Sequence, residues 1–386
     1  MLDQNLEAVP RTDEIIREFS NQRHGAYQPL EQVASAESQA ALRQMSIERL
    51  MAYGVHHADV VELRGRVWAG ESWQDVADEL AATCLDPPES HISIETGVTR
   101  ANRLFRASAL VRMSQMMMVE NSEERSAIFA RAGELYAEAG RLTGDLDRID
   151  FDTPYGTLRG WLCRCRGREP VGRAIVIGGI EGWSMDFGAM GQALAIRGVE
   201  TVTLDGPGQG ESRLVHKHYL KFGWEKSYFS VLDEMESWEP KLPIAFVGNS
   251  MGGAVGMHLA RLDGRIAAIC DNGGTPNPGR DRGNTTFAHK MKAHTGAETL
   301  EAAAEVWKSV RPVDLEQPLT CPLLVVHGGL DPLISAEDAL AMFNSAVSKD
   351  RHIVTFSDGD HCVYNHSDDK HALICDWVIS RLEAAR

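Results

Sequence analysis

From residue 174 onward the chain alternates short β-rich runs with helix-length segments, and no other feature restricts its fold as strongly. The runs are 174–177, 201–204, 244–247, 266–270, 323–326 and 353–356. Parallel neighbours cannot be joined by a tight turn, so each intervening segment must cross back over the sheet, usually as a helix. The expectation is an α/β protein with a mostly parallel, doubly wound sheet and helices on both faces. Ahead of these runs, 148–152 and 158–165 flank Pro154-Tyr155-Gly156 and read as an antiparallel hairpin. Ligands of such sheets bind beyond the carboxyl ends of the strands, so chemistry is sought just after each run.

Residues 11–144 contain almost no strand-like alternation. Ser72 precedes Trp73, Val76 and Leu80 at helical spacing, with Asp75 three residues after the cap; Asn121 with Glu124 opens a second amphipathic pattern. The division predicted is a helical cap domain over 1–145 and a catalytic domain over 146–386. Met113, Met116, Met117 and Met118 read as packing against the main domain rather than as pocket lining. The stretch 275–320 is too long for a plain connection and holds its own helix around 300–310, which predicts a lid insertion.

The most specific motif is Gly248-Asn249-Ser250-Met251-Gly252, a G-x-S-x-G with a buried run before it and a small-residue helix after it. A serine hydroxyl is a weak nucleophile at neutral pH, so Ser250 needs a general base, and the base needs a carboxylate to fix its tautomer. Asp331, after the run 323–326 and a glycine turn, supplies the carboxylate; His361, on the loop after 353–356, supplies the base. Asp358 and Asp360 compete for the acid role but lie too near His361 in sequence and read as turn residues, and His327 reads as part of the turn beside Asp331. Two amides must also face the developing oxyanion. Met251 offers one, and Ile180, on the loop Gly178-Gly179-Ile180-Glu181-Gly182-Trp183, offers the other. Glu181 and Trp183 are candidate substrate contacts. Asp205-Gly206-Pro207-Gly208-Gln209-Gly210-Glu211-Ser212 lacks the lysine and spacing of a phosphate loop and reads as a structural turn anchored by Asp205.

Composition narrows the partners. Among 386 residues, 43% are hydrophobic, and 55 acidic residues against 39 basic ones give a formal charge of −16. No basic patch offers itself to a nucleic acid or an anionic membrane. Seven scattered cysteines without a C-x-x-C pair argue for reduced thiols in the cytoplasm. The start lacks the charged and apolar regions of a signal peptide, and no apolar run is long enough to span a bilayer. His361, His366 and Asp368 match no metal motif, so neither metal nor cofactor is expected. The partner expected is a small molecule, with a homodimer through the apolar surface of the helical segment.

With the elbow around Ser250, GGIEGW, DGPGQGES, HGGLDP and DGDHCVYN together, the chain resembles the α/β-hydrolases. DGPGQGE, GDHC and the helical segment of about 145 residues make it similar to the group typified by 2,6-dihydroxypseudooxynicotine hydrolase. That resemblance implies the α/β-hydrolase fold and the triad Ser250, Asp331 and His361. Relatives in that group cleave carbon-carbon bonds next to a carbonyl, fungal relatives shorten polyketide pigments, and others are esterases. The resulting expectation is a cofactor-independent serine hydrolase acting on an ester or a carbon-carbon bond in an apolar aromatic or polyketide-like molecule. The competing class is a hydrolase-fold binding or regulatory protein without turnover.

Overall fold

The computed structural model describes residues 22–86 and 94–386. Its centre is an eight-stranded sheet formed by β1 (Leu146–Thr153), β2 (Gly156–Cys163), β3 (Gly172–Ile177), β4 (Val199–Asp205), β5 (Ile244–Asn249), β6 (Ile266–Asn272), β7 (Leu323–Gly328) and β8 (Arg351–Phe356), in the order β1-β2-β4-β3-β5-β6-β7-β8. β1 and β2 form the anticipated antiparallel hairpin, and β2 joins β4 antiparallel. Every pairing from β4 through β3 to β8 is parallel.

Because side chains alternate across a strand, the sheet builds two separate cores. Ile175, Ile177, Phe246, Ile269 and Val325 meet the helices Glu225–Ser237, Met251–Leu262 and Ala336–Asn344 on one face. Ala174, Val176, Val247, Cys270 and Val326 meet Gly188–Ile196 and Ser367–Ala384 on the other. β3, β5 and β7 are buried along their whole length, which is why they read as unbroken apolar runs. β8 closes one edge and is only half-buried.

The described part of the N-terminal segment is helical, running from Ala36–Gln44 and Ile47–Ala52 to Gly97–Ser114 and Glu123–Thr143. Ser72 caps Trp73–Leu85 as anticipated, its hydroxyl accepting from the Asp75 amide at 3.4 Å. The second cap is a correction: Ser122 accepts from the Arg125 amide at 3.1 Å, while the Asn121 side chain reaches away to the Ala293 carbonyl at 2.8 Å. Met113 and Met116 are buried among the helices. The core of this segment runs into the rest of the molecule through Trp161, Trp183, Cys362 and Tyr364.

Between β6 and β7 lie two helices, Thr286–Thr295 and Leu300–Lys308, capped by Thr285 and Thr299. The sequence reading anticipated the second and missed the first.

Candidate active site

Ser250 sits between the end of β5 and the helix Met251–Leu262 with φ 55 and ψ −127. That strained turn lifts its hydroxyl off the sheet. The turn closes because Gly252 has no side chain: a Cβ there would stand 2.5 Å from the Gly178 carbonyl. The Ser250 amide donates to the Asn272 carbonyl at 2.8 Å, and the Asn272 side chain donates to Asn249 Oδ1 at 2.8 Å and to the Cys362 carbonyl at 3.2 Å. A single asparagine at the end of β6 thus ties the serine turn to the loop that carries the histidine.

His361 Nε2 lies 2.9 Å from Ser250 Oγ, and its Nδ1 lies 2.7 Å from Asp331 Oδ2. A carboxylate only accepts, so Nδ1–H donates to Asp331 and, in the neutral ring, Nε2 is left to accept from the serine hydroxyl. The Asp331 side chain is fully buried, and its other oxygen accepts from the Leu333 and Ile334 amides at 2.7 and 3.1 Å. Cys362 and Val363 follow His361 with φ 59 and 55, a second strained stretch of backbone at the site. Burial works against the imidazolium, but the adjacent Cys362 and the Asp331 carboxylate outweigh it, so the pKa of His361 is raised above its ordinary value.

Gly179 passes so close to the serine that a Cβ would lie 2.8 Å from Ser250 Cβ. Among the described residues, the Ile180 and Met251 amides have no protein acceptor. Met251 also opens a helix of 12 residues, whose dipole favours negative charge at that end. The Ile180 carbonyl faces the other way and accepts from His294 Nε2 at 2.9 Å; burial, with nearby Arg213, keeps that ring neutral.

Two cavities meet at Ser250 and His361. One of about 480 Å³ runs between Arg43, Arg49, Glu181, Phe287, Lys290 and Tyr364. The other, about 400 Å³, extends past Met251, Thr275, Arg280, Arg282 and Ile334. Glu181 lines the first. Trp183 does not: it is 3% exposed, packed against Phe129 at 5.1 Å with the Arg213 guanidinium 4.9 Å over its ring. This corrects the expectation of a substrate contact, because the indole fills the wall behind the loop. Asp360 accepts from the Tyr364 and Asn365 amides and Asp358 faces His366, so both remain turn residues. Among the described residues there is no cluster suited to a metal ion, and no helix is long and apolar enough to cross a membrane.

Residues 178–373 match the alpha/beta hydrolase family. The chain belongs to that family. This hydrolase is 25% identical over 345 residues to 2,6-dihydropseudooxynicotine hydrolase of Paenarthrobacter nicotinovorans, a match covering 88% of this chain and 92% of that protein. A crystal structure of 2,6-dihydroxy-pseudo-oxynicotine hydrolase superposes with a TM-score of 0.76 at 25% identity, covering 88% and 96% of the two chains. AbyA5 shares the fold at a TM-score of 0.62 and 19% identity, covering 78% and 92%. Est1E from Butyrivibrio proteoclasticus does so at 0.50 and 22%, covering 61% and 98%.

Several residues that shape the hydrolase site escaped the sequence reading. Gln209, inside the glycine-rich turn, donates to the Gly178 and Gly179 carbonyls at 2.7 and 3.0 Å and so holds the loop bearing Ile180. Asp205 anchors that turn as anticipated, accepting from the Ser184 and Glu211 amides at 2.8 Å each. From the helical segment, Arg112 pairs with Asp186 at 2.8 Å in full burial, and Asp186 accepts from the Trp183 amide at 2.8 Å. Tyr53 donates to the Glu181 carbonyl at 3.2 Å and meets the Tyr364 hydroxyl at 3.0 Å. Lys290 pairs with Glu181. Gln209 had a signal, a polar residue among glycines at a strand end; the helical residues had none.

Proposed function

We propose that this protein is a serine hydrolase that cleaves a carbonyl compound through an acyl-enzyme. The observation that carries this reading is the unbroken hydrogen-bond chain from Ser250 through His361 to buried Asp331, opening on a cavity beside two free amides. His361 takes the Ser250 proton as the oxygen attacks the carbonyl carbon. The Ile180 and Met251 amides hold the resulting oxyanion, each worth on the order of 10²–10³ in rate where such donors have been removed. His361 returns the proton to the leaving group, an alcohol or, in carbon-carbon cleavage, a stabilised carbanion. Water then attacks the acyl-enzyme with His361 again as base, releasing the acid and freeing Ser250. No cofactor enters this scheme.

Phe287, Leu333 and Ile180 along the first cavity suit the apolar body of a small substrate. Both an ester and a carbon-carbon bond next to a carbonyl are open to this machinery. Turnover of short p-nitrophenyl esters is to be compared with that of aryl 1,3-diketones, using Ser250→Ala as control. Hydrolysis of either set that disappears in Ser250→Ala is the expected result; full activity retained in Ser250→Ala would refute the mechanism.

A further inference from the structure

The cavity beside the nucleophile carries more positive than negative charge, in a chain whose formal charge is −16. Arg43, Arg49 and Lys290 face Glu181 and Asp360 across it. The Asp360 carboxylate is committed to the backbone amides of the turn after His361. Glu181 therefore answers for both Lys290, with which it forms an ion pair, and Arg49, whose Nη2 is 3.8 Å away. Arg49 places its own hydrogen bonds on neutral groups, the Tyr53 hydroxyl at 3.2 and 3.1 Å and the Gln44 carbonyl at 3.0 Å.

Behind this wall the excess grows. Arg125 is buried and spends its donors on Gln115 Oε1 at 2.7 Å and the Val119 carbonyl at 3.0 Å. Arg213, also buried, lies over the Trp183 ring with Nε and Nη2 unpaired. Burial lowers the pKa of Lys290, and Arg49 and Arg125 add to that against the pull of Glu181. A buried cation without a full counter-charge is costly, and a cavity lined by buried Lys290 and half-buried Arg49, with Arg125 and Arg213 buried behind it, is matched to an anion that arrives with its ligand.

We infer that the substrate carries its own carboxylate, which enters the cavity between Arg43, Arg49 and Lys290 while the carbonyl to be attacked lies over Ser250. This rests on the serine-hydrolase reading and adds the chemical class of the substrate: an acyl compound with an apolar body and an acidic end. Lys290 and Glu181 lie on segments far apart in sequence, so their pair also fixes the helix Thr286–Thr295 against the loop that bears Ile180.

The test is protection of Ser250 from a neutral alkyl fluorophosphonate, comparing 4-phenylbutyrate with 4-phenylbutanamide at low ionic strength. The carboxylate should slow labelling at a concentration at least tenfold below that needed by the amide. That advantage should shrink with added salt, and it should shrink in Lys290→Met and in Arg43→Gln, the latter an exposed residue whose loss leaves the core intact. Labelling that proceeds normally, with acid and amide protecting equally or not at all, overturns the inference and leaves the hydrolase reading standing. A folded protein in which Ser250 takes no label removes the hydrolase reading and this inference with it.

Discussion

The floor and the roof of the site are built by different means. On the floor, Ser250, Asp331 and His361 follow the carboxyl ends of the parallel strands β5, β7 and β8, and backbone geometry fixes them: φ 55 at Ser250, φ 59 and 55 just after His361, and two amides on Asp331. Over it, Arg43, Gln44, Arg49 and Lys290 reach in from helices with long side chains, and Gln44, Arg49 and Lys290 hold one another through Glu181. Short side chains on a strained backbone have one position, which suits a reaction needing atoms within hydrogen-bond reach. Long charged side chains have many, and only their mutual pairing selects one. In the proposed mechanism the floor decides what reaction is run, and the roof decides which molecule receives it.

That contrast breaks most sharply at Ser250. Ser250→Ala should lower turnover by on the order of 10⁶-fold with little change in melting temperature, measured by steady-state kinetics beside thermal denaturation. Asp331→Asn should follow at about 10⁴-fold, because an amide at this position favours the wrong histidine tautomer. Arg112→Met should show the opposite signature. Removing one partner of the buried pair with Asp186 is expected to cost about 3–5 kcal/mol of stability in chemical denaturation, with a smaller loss of rate than at the floor. Gly179→Ala lies between the two: a methyl 2.8 Å from Ser250 Cβ forces the loop away, so kcat should fall about 10²-fold while the fold survives.

The smallest effect is on the pH profile. His361 acts as base only when neutral and its pKa is raised, so kcat/KM should keep rising with pH beyond the ordinary histidine value of about 6.5. Stability runs the other way. A raised folded-state pKa contributes stability that is complete below about pH 6.5 and is lost as the pH climbs through the folded value. A kcat/KM profile that levels off at or below the ordinary value would contradict the pairing of His361 with Asp331.

The floor was legible in the sequence because it is local. Ser250 and Asp331 follow buried runs and His361 follows the half-buried edge strand, and the glycines around Ser250 mark the turn that presents it. Ser250 and Asp331, both named from the sequence, are each brought within hydrogen-bond distance of His361, also named from it, whereas the roof is built by contacts that no spacing announces. Lys290 meets Glu181 only once the segment between β6 and β7 has folded over the sheet, and Tyr53 meets Tyr364 across most of the chain. Trp183 shows the limit from the other side. Its position in the loop pointed toward substrate, but an indole with Phe129 and Arg213 at hand gains more by filling the wall. The cap at Ser122 in place of Asn121 is a one-residue slip between two good capping residues, and it was decided by the bond Asn121 makes to Ala293.

The central claim is that Ser250 is an activated nucleophile. Intact-protein and peptide mass spectrometry after treatment with a fluorophosphonate tests it most directly. One adduct per chain is expected, on the peptide containing Ser250, absent in Ser250→Ala and strongly slowed in Asp331→Asn. A folded protein that takes no label, or one whose labelling is unchanged in Ser250→Ala, would contradict it.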